Sequence, residues 1–319
     1  MRALFRIFVA CSLLVGSAEA QVKPDALRSL VESYADKRKF EGTVLVARGD
    51  DILLEASYGK ADRAWDTPND PTTRYRIGSL TKPLLATLVM NLVEDDILSL
   101  QGTLADYLPD HYVGTPIAGV TVEQLLSHTS GVKDVPNSLF DPWWRTTARL
   151  AYDADALATE LITPELIDEP GAKWRYNNVG YILLGLIIEE VTGAPYGDSL
   201  RARIFAPANM VDSGVFSEDI VLEKLAHGYA PLPSGKLGQP LRTDASVFFS
   251  AAGVYATARD LYRFDRALYG EEIINAATRK TMHTQQTTFP YGLGWGIETL
   301  SPTNGDKIAF YSHTGSIPG

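Results

Sequence analysis

Residues 84–93 carry Leu84, Leu85, Ala86, Leu88, Val89, Met90, Leu92 and Val93, with only Thr87 and Asn91 between them. A helix with that pattern has no face that prefers water, so it belongs in a protein interior and the rest of the fold has to be laid around it. The residues just before it, Arg76-Ile77-Gly78-Ser79-Leu80-Thr81-Lys82-Pro83, bring chemistry to its start. Pro83 suits a first helical turn, where a missing N–H costs nothing, and predicts a helix opening near Ser79. In such a helix the spacing of Ser79 and Lys82 puts hydroxyl and amine on one face, close enough to share a proton.

A serine hydroxyl is a poor nucleophile at neutral pH, and a neutral amine beside it can take its proton as it attacks a carbonyl. A free lysine has a pKa of about 10.4, and lowering it by ~3 units requires roughly 4 kcal/mol of differential stabilisation, which burial can supply. The spacing alone identifies nothing, since a chain of this length contains about one Ser-x-x-Lys by chance. It occurs at Ser57/Lys60, Ser79/Lys82 and Ser130/Lys133. In the first pair Tyr58-Gly59 reads as a turn after a strand, and in the third Gly131 interrupts the run. Only Ser79 leads into a long buried helix.

The 319 residues, 45% hydrophobic and 21% charged, suffice for one large or two interlocked domains with ample core. Residues 1–20 read as a cleavable signal peptide, with Arg2 and Arg6, an apolar run through Val15, and Ala18-Glu19-Ala20 as the small-residue cleavage site. This predicts a domain over 21–319 in the periplasm or outside the cell. No stretch reaches the ~20 apolar residues of a membrane span, so no stable anchor is expected. Cys11, the only cysteine, leaves with the leader, which excludes disulfides; as a lipid-attachment site it follows too short an apolar run. A net charge of −10 argues against nucleic acid and anionic membranes as partners. His111, His128, His227, His283 and His313 lack His-Glu-x-x-His spacing, so neither a metal nor another cofactor is expected. The expected partner is a small-molecule or peptide substrate.

Along the chain, Asp25 to Lys39 reads as a helix, and 43–47 with 51–56 as a hairpin turned at Arg48-Gly49-Asp50. Thr121 with Gln124 forms a capping box opening a short helix to His128. Asp153 to Ile162 suits another helix, and Val179 to Thr192 the clearest one, closed by Gly193. Phe248 to Tyr255 reads as a loop or short strand. A helix follows from Thr257 and Asp260 to Tyr269, stopped by Gly270. Gly292 to Ile297 and Lys307 to Tyr311 read as two further strands. Strands at both ends with helices between predict an α/β (α+β) fold with a sheet contributed by both termini.

Two more stretches carry chemistry. Tyr176-Asn177-Asn178 is the only Tyr-x-Asn in the chain and stands just before the long helix. A tyrosine there can relay a proton among Lys82, Ser79 and a leaving group, and an asparagine amide can hold a substrate amide. Its plainer reading is a helix-entry turn with Asn178 as cap. In His313-Thr314-Gly315-Ser316 a glycine would let substrate backbone approach, and the next N–H could face a developing oxyanion. Alone, this stretch reads as a surface turn.

Taken in order, Ser79-x-x-Lys82, Tyr176-x-Asn178 and His313-Thr314-Gly315 resemble the motif set of the penicillin-recognising serine hydrolases: class C β-lactamases, D-alanyl-D-alanine carboxypeptidases and related esterases. Leu125 to Gly131, Gly180 to Glu189 and Ala258 to Leu261 share in the resemblance, which runs from about Asp25 to the last residue. It implies a β-lactamase/transpeptidase-like fold, with an antiparallel central sheet near 42–57 and 291–313, flanking helices, and a mostly helical region over about 80–235. It also implies that Ser79 is acylated, that Lys82 and Tyr176 handle protons, and that Asn178 contacts the acyl side chain. The backbone N–H groups of Ser79 and Ser316 would hold the oxyanion, and His128 would be structural. Trp143 and Trp144 read either as lining the cleft or as packing residues.

In two respects the chain departs from the pattern. His313 stands where classical relatives have lysine, and histidine is largely neutral at pH 7. With no fixed cation for a substrate carboxylate, weak β-lactamase activity and better turnover of esters or small amides are expected. The chain also stops just after the third motif, where relatives continue with more strands and a helix; a truncated product with an unprotected sheet edge is therefore expected. The competing readings are a penicillin-binding sensor or peptidoglycan-binding module acylated without turnover, and a true D-alanyl-D-alanine carboxypeptidase or β-lactamase. The lack of Gly-x-Ser-x-Gly argues against an α/β-hydrolase.

Overall fold

The apolar run at 84–93 lies where its composition requires. In the computed structural model, which describes residues 24–38, 40–136, 138–301 and 307–318, it belongs to a helix whose Leu85, Ala86, Leu88, Val89 and Leu92 are wholly buried. Each such leucine contributes about 1.5–3 kcal/mol by leaving water. The leader predicted over 1–20 lies outside the described residues.

The N-terminal helix α1 (Pro24–Arg38) is followed by the antiparallel hairpin of β1 (Gly42–Arg48) and β2 (Asp51–Tyr58). A short strand, β3 (Tyr75–Arg76), leads into a 3-10 turn over Gly78–Leu80, and only then does the central helix α2 (Thr81–Glu94) begin. The helix thus starts two residues later than Ser79. Next come α3 (Val122–Leu126), opened by the expected capping box between Thr121 and Gln124, and α4 (Asn178–Thr192), closed at Gly193 with φ 66°. Beyond these lie β4 (Gly214–Val215), α5 (Phe249–Ala252), β5 (Val254–Ala256), α6 (Ala258–Gly270), and the hairpin of β6 (Gly296–Leu300) and β7 (Ile308–Ser312).

Helices α2 and α4 form the core, and α5 packs on both. Ser250 of α5 donates to the Tyr181 carbonyl at 2.8 Å, directly against Gly185, where a Cβ would lie 2.1 Å from the Ser250 hydroxyl. Strand β5 runs between β3 and β4 and is tied to the Ser79 turn, since Ile77 donates to the Val254 carbonyl and Val254 donates to the Thr81 hydroxyl.

Several local expectations are corrected. Residues 153–162 are helical as expected, capped by Asp153 and ended at Ile162, but the single α turn (Ala154–Ala156) widens into a π-helix over Leu157–Leu161. The short strand expected within 248–255 is present only at its end, where β5 begins at Val254; Phe249–Ala252 before it form the short helix α5, packed against α4. Gly270 lies inside α6, and Glu271 takes the left-handed position at φ 66°. The strand expected from Gly292 starts at Gly296: Gly292 donates to the Trp295 carbonyl and Leu293 to the Met282 carbonyl, a turn that buries Leu293 and Trp295. Helices give way well before residue 235; residues 214–238 hold only two-residue strands among turns rich in Pro and Gly. The two ends of the chain each supply an antiparallel hairpin, as the expected fold has it; among the described residues these are separate two-stranded ladders, and β6 also bridges back to Tyr291 through Gly296.

Candidate active site

The 3-10 turn at Gly78–Leu80 presents Ser79 half-buried at a cavity of about 320 Å³, while Lys82, one turn on, is completely buried. Lys82 Nζ lies 3.3 Å from Ser79 Oγ, 2.9 Å from Asn178 Oδ1 and 3.0 Å from the Ala251 carbonyl. The last two partners can only accept. A neutral amine donates its two N–H bonds to them and keeps its lone pair for the serine hydroxyl. Burial brings the lysine down to about 7, with the nearby Asp134 opposing that fall.

Tyr176 lies across the amine, with Lys82 Nζ 4.8 Å from its ring centre, and it lines the same cavity. Burial pushes its phenol above the ordinary tyrosine range, against the effect of its hydrogen bond with Ser79. The same desolvation thus moves the two groups apart: at neutral pH Lys82 can be unprotonated while Tyr176 keeps its proton.

The turn that opens α4 divides its two asparagines between two tasks. The cap is Asn177, not Asn178: its Oδ1 accepts from Gly180 N at 2.6 Å and its Nδ2 donates to the Val132 carbonyl. Asn178, relieved of capping, turns its oxygen to Lys82. Asp134 holds the start of the helix, accepting from the Asn178 and Val179 backbone N–H groups at 2.9 and 3.0 Å. His128 is buried behind this turn, and its Nδ1 accepts from Asn177 N at 3.1 Å.

Residues 313–316 run along the serine turn. A Cβ on Gly78, whose φ is +56°, would lie 2.8 Å from Ser316 N, so glycine lets this segment approach the nucleophile closely. His313 is buried rather than part of a surface turn. Its Nδ1 contacts the Thr314 carbonyl at 2.7 Å and its Nε2 the Tyr291 hydroxyl at 3.1 Å. Burial, aided by Lys82, holds its pKa at about 3, so it is neutral throughout the physiological range. Ser316 lines the cavity and Thr314 is exposed.

Of the residues singled out from sequence, Ser79, Tyr176, Asn178 and Ser316 meet at the cavity, Lys82 sits beneath Ser79, and His313 stands behind Tyr176. The remaining walls are largely apolar, formed by Val135, Leu139, Trp144, Ile182, Val247 and Phe248. Trp144 lines the cavity with its Nε1 donating to the Pro136 carbonyl, and Trp143 packs edge-on against it. Sequence reasoning missed Asp134, Tyr291 and the Ala251 carbonyl. An acidic residue just after the Ser130-Gly131 turn was a visible signal for the first, and a backbone carbonyl leaves none.

A family model described as Beta-lactamase matches residues 27–319. The chain is 32% identical over 316 residues to penicillin-binding protein 4* of Bacillus subtilis, covering 94% of this chain and 68% of that protein. It is 27% identical over 317 residues to the esterase EstB of Burkholderia gladioli, covering 87% and 79%. Among solved structures, the D-amino acid amidase of Ochrobactrum anthropi SV3 superposes with a TM-score of 0.76 at 26% identity, covering 92% of this chain and 85% of that one.

Proposed function

The chain belongs to the Beta-lactamase family, whose members are serine hydrolases, and from that premise we propose that it is an exported enzyme that cleaves uncharged esters or small amides through an acyl-enzyme on Ser79, with weak β-lactamase activity. The observation that carries this reading is the set of partners around Lys82, which leaves its lone pair to Ser79 alone.

In the proposed reaction Ser79 Oγ attacks the substrate carbonyl as its proton passes to Lys82 Nζ. The negative charge that develops on the carbonyl oxygen is met by the backbone N–H groups of Ser79 and Ser316. As the carbonyl–leaving group bond breaks, Tyr176 gives its phenolic proton to the departing oxygen or nitrogen and takes the one held by Lys82. Water then attacks the ester on Ser79 along the same path in reverse, releasing the acid and restoring the hydroxyl. Substrate preference follows from the walls: an apolar acyl group fits the cavity, while the neutral His313 offers a substrate carboxylate no counter-charge. Likeness to a penicillin-binding protein, an esterase and an amidase is consistent with ester and amide bonds as targets. Export rests on the leader features of residues 1–20. No single helix among the described residues is long and apolar enough to cross a membrane.

Hydrolysis of nitrophenyl acetate and of a chromogenic cephalosporin, each with wild type and Ser79→Ala, tests the proposal. Ester turnover abolished by the substitution is expected, with cephalosporin turnover far slower. Efficient cephalosporin turnover with an inert ester would overturn it, and stoichiometric acylation without turnover would make the chain a sensor.

A further inference from the structure

No step above uses Asp134, yet this side chain makes more contacts with the site than helix capping requires. Its Oδ1 takes the first two backbone N–H groups of α4, those of Asn178 and Val179, and its Oδ2 lies 3.4 Å from Asn178 Nδ2. The Asn178 amide is thus gripped at both ends. Its NH2 faces a carboxylate, which only accepts, and its oxygen takes an N–H of Lys82 at 2.9 Å. Turned over, the amide would set its oxygen against the carboxylate, losing that contact, and its NH2 could meet the neutral lysine only by taking up the lone pair that Ser79 needs. We propose that Asp134 is a positioning residue for the acylation step: it draws in the NH2 end of Asn178, so that the amide oxygen holds one N–H of Lys82 and the amine's lone pair is left to Ser79.

The charge of Asp134 adds a second effect. The titratable groups around Lys82 are Asp134 from the 132–136 loop, Tyr176 and Tyr181 from the entry and first turns of α4, His128 from the turn after α3, and His313 from beyond β7. Burial keeps both tyrosines and both histidines neutral near pH 7. Burial raises the Asp134 carboxyl above the usual range, opposed by the backbone N–H groups it accepts from; as the anion in that set it favours the protonated lysine. It therefore orients the base while delaying the release of its proton to higher pH.

This inference rests on the Ser79/Lys82 reading, and its test separates the two. The rate at which a fluorophosphonate probe labels Ser79 is measured against pH for wild type, Asp134→Asn and Asp134→Ser, the serine retaining an acceptor for the start of the helix. Both variants are expected to label at least tenfold more slowly at their optimum, with the acid limb moved to lower pH by half a unit or more. In an Asn178→Ala background, Asp134→Asn is expected to cost little further, because the two act as one unit. A folded variant with an unmoved limb and an undiminished rate would overturn the proposal and leave Asp134 a helix cap. So would the failure of both variants to fold, which would assign the residue to stability alone. A wild-type protein that is not labelled at Ser79 would instead overturn the underlying reaction.

Discussion

Gly315 lies against the carbonyl oxygen of Ile77, so closely that a Cβ built on it would sit 1.9 Å from that oxygen. The contact fixes how near residues 313–316 come to the serine turn, and with it where Ser316 N stands relative to Ser79. Gly315→Ala has to push the two segments apart. Its expected cost is about 100-fold in kcat for a nitrophenyl ester, the loss typical of one displaced oxyanion donor. Steady-state kinetics beside a thermal melt check this, and a folded variant with unchanged kcat would contradict it.

Because Lys82 titrates near 7 when buried, the free-enzyme rate should depend on its unprotonated fraction. The expected kcat/KM for an ester falls by about tenfold per pH unit below that point and is level above it until Tyr176 begins to ionise beyond its ordinary range. A pH–rate profile with no acid limb between pH 6 and 8 would remove Lys82 from the role of base.

His313 makes a prediction about stability. Its folded pKa, about 3, is below its unfolded value near 6.5, so over that window the unfolded chain binds the extra proton and stability is lost as pH falls. At pH 5 the loss from this one group is about 2 kcal/mol. Denaturant melts at pH 5 and 7 measure it, and His313→Gln should remove that share of the difference.

Leu139, half exposed at the rim of the cavity, offers a handle on selectivity at little cost to the fold. Leu139→Trp should narrow the mouth and lower the hexanoyl to acetyl preference among nitrophenyl esters by about tenfold, within the range one pocket contact supplies. An unchanged ratio would mean that the acyl group binds elsewhere.

What could be read from the residues was local. The pairing of Ser79 with Lys82 followed from spacing and from the apolar run behind it, and α4 from an uninterrupted apolar stretch closed by Gly193. Adjacent asparagines at 177 and 178 are interchangeable on paper; only the approach of Val132, Gly180 and Lys82 decides which of them caps. The Ala251 carbonyl reaches the amine because α5 is wedged against Gly185, a contact between residues far apart in the chain. The glycines at 292 and 294 let an apolar stretch that looks extended fold into a turn, which is why β6 begins late. That the terminal hairpins stand as separate ladders is likewise a property of distant backbone, since alternation within each strand says nothing about its neighbour.

The complete enclosure of Lys82 limits where its protons can go. With bulk solvent out of reach, the amine can be loaded and emptied only through the oxygen atoms beside it, so the hydrogen stripped from the nucleophile is the one handed on when the first product departs. Each half of the catalytic cycle then closes its own proton account without drawing on buffer, and raising the concentration of an external acid or base should leave the rate unchanged.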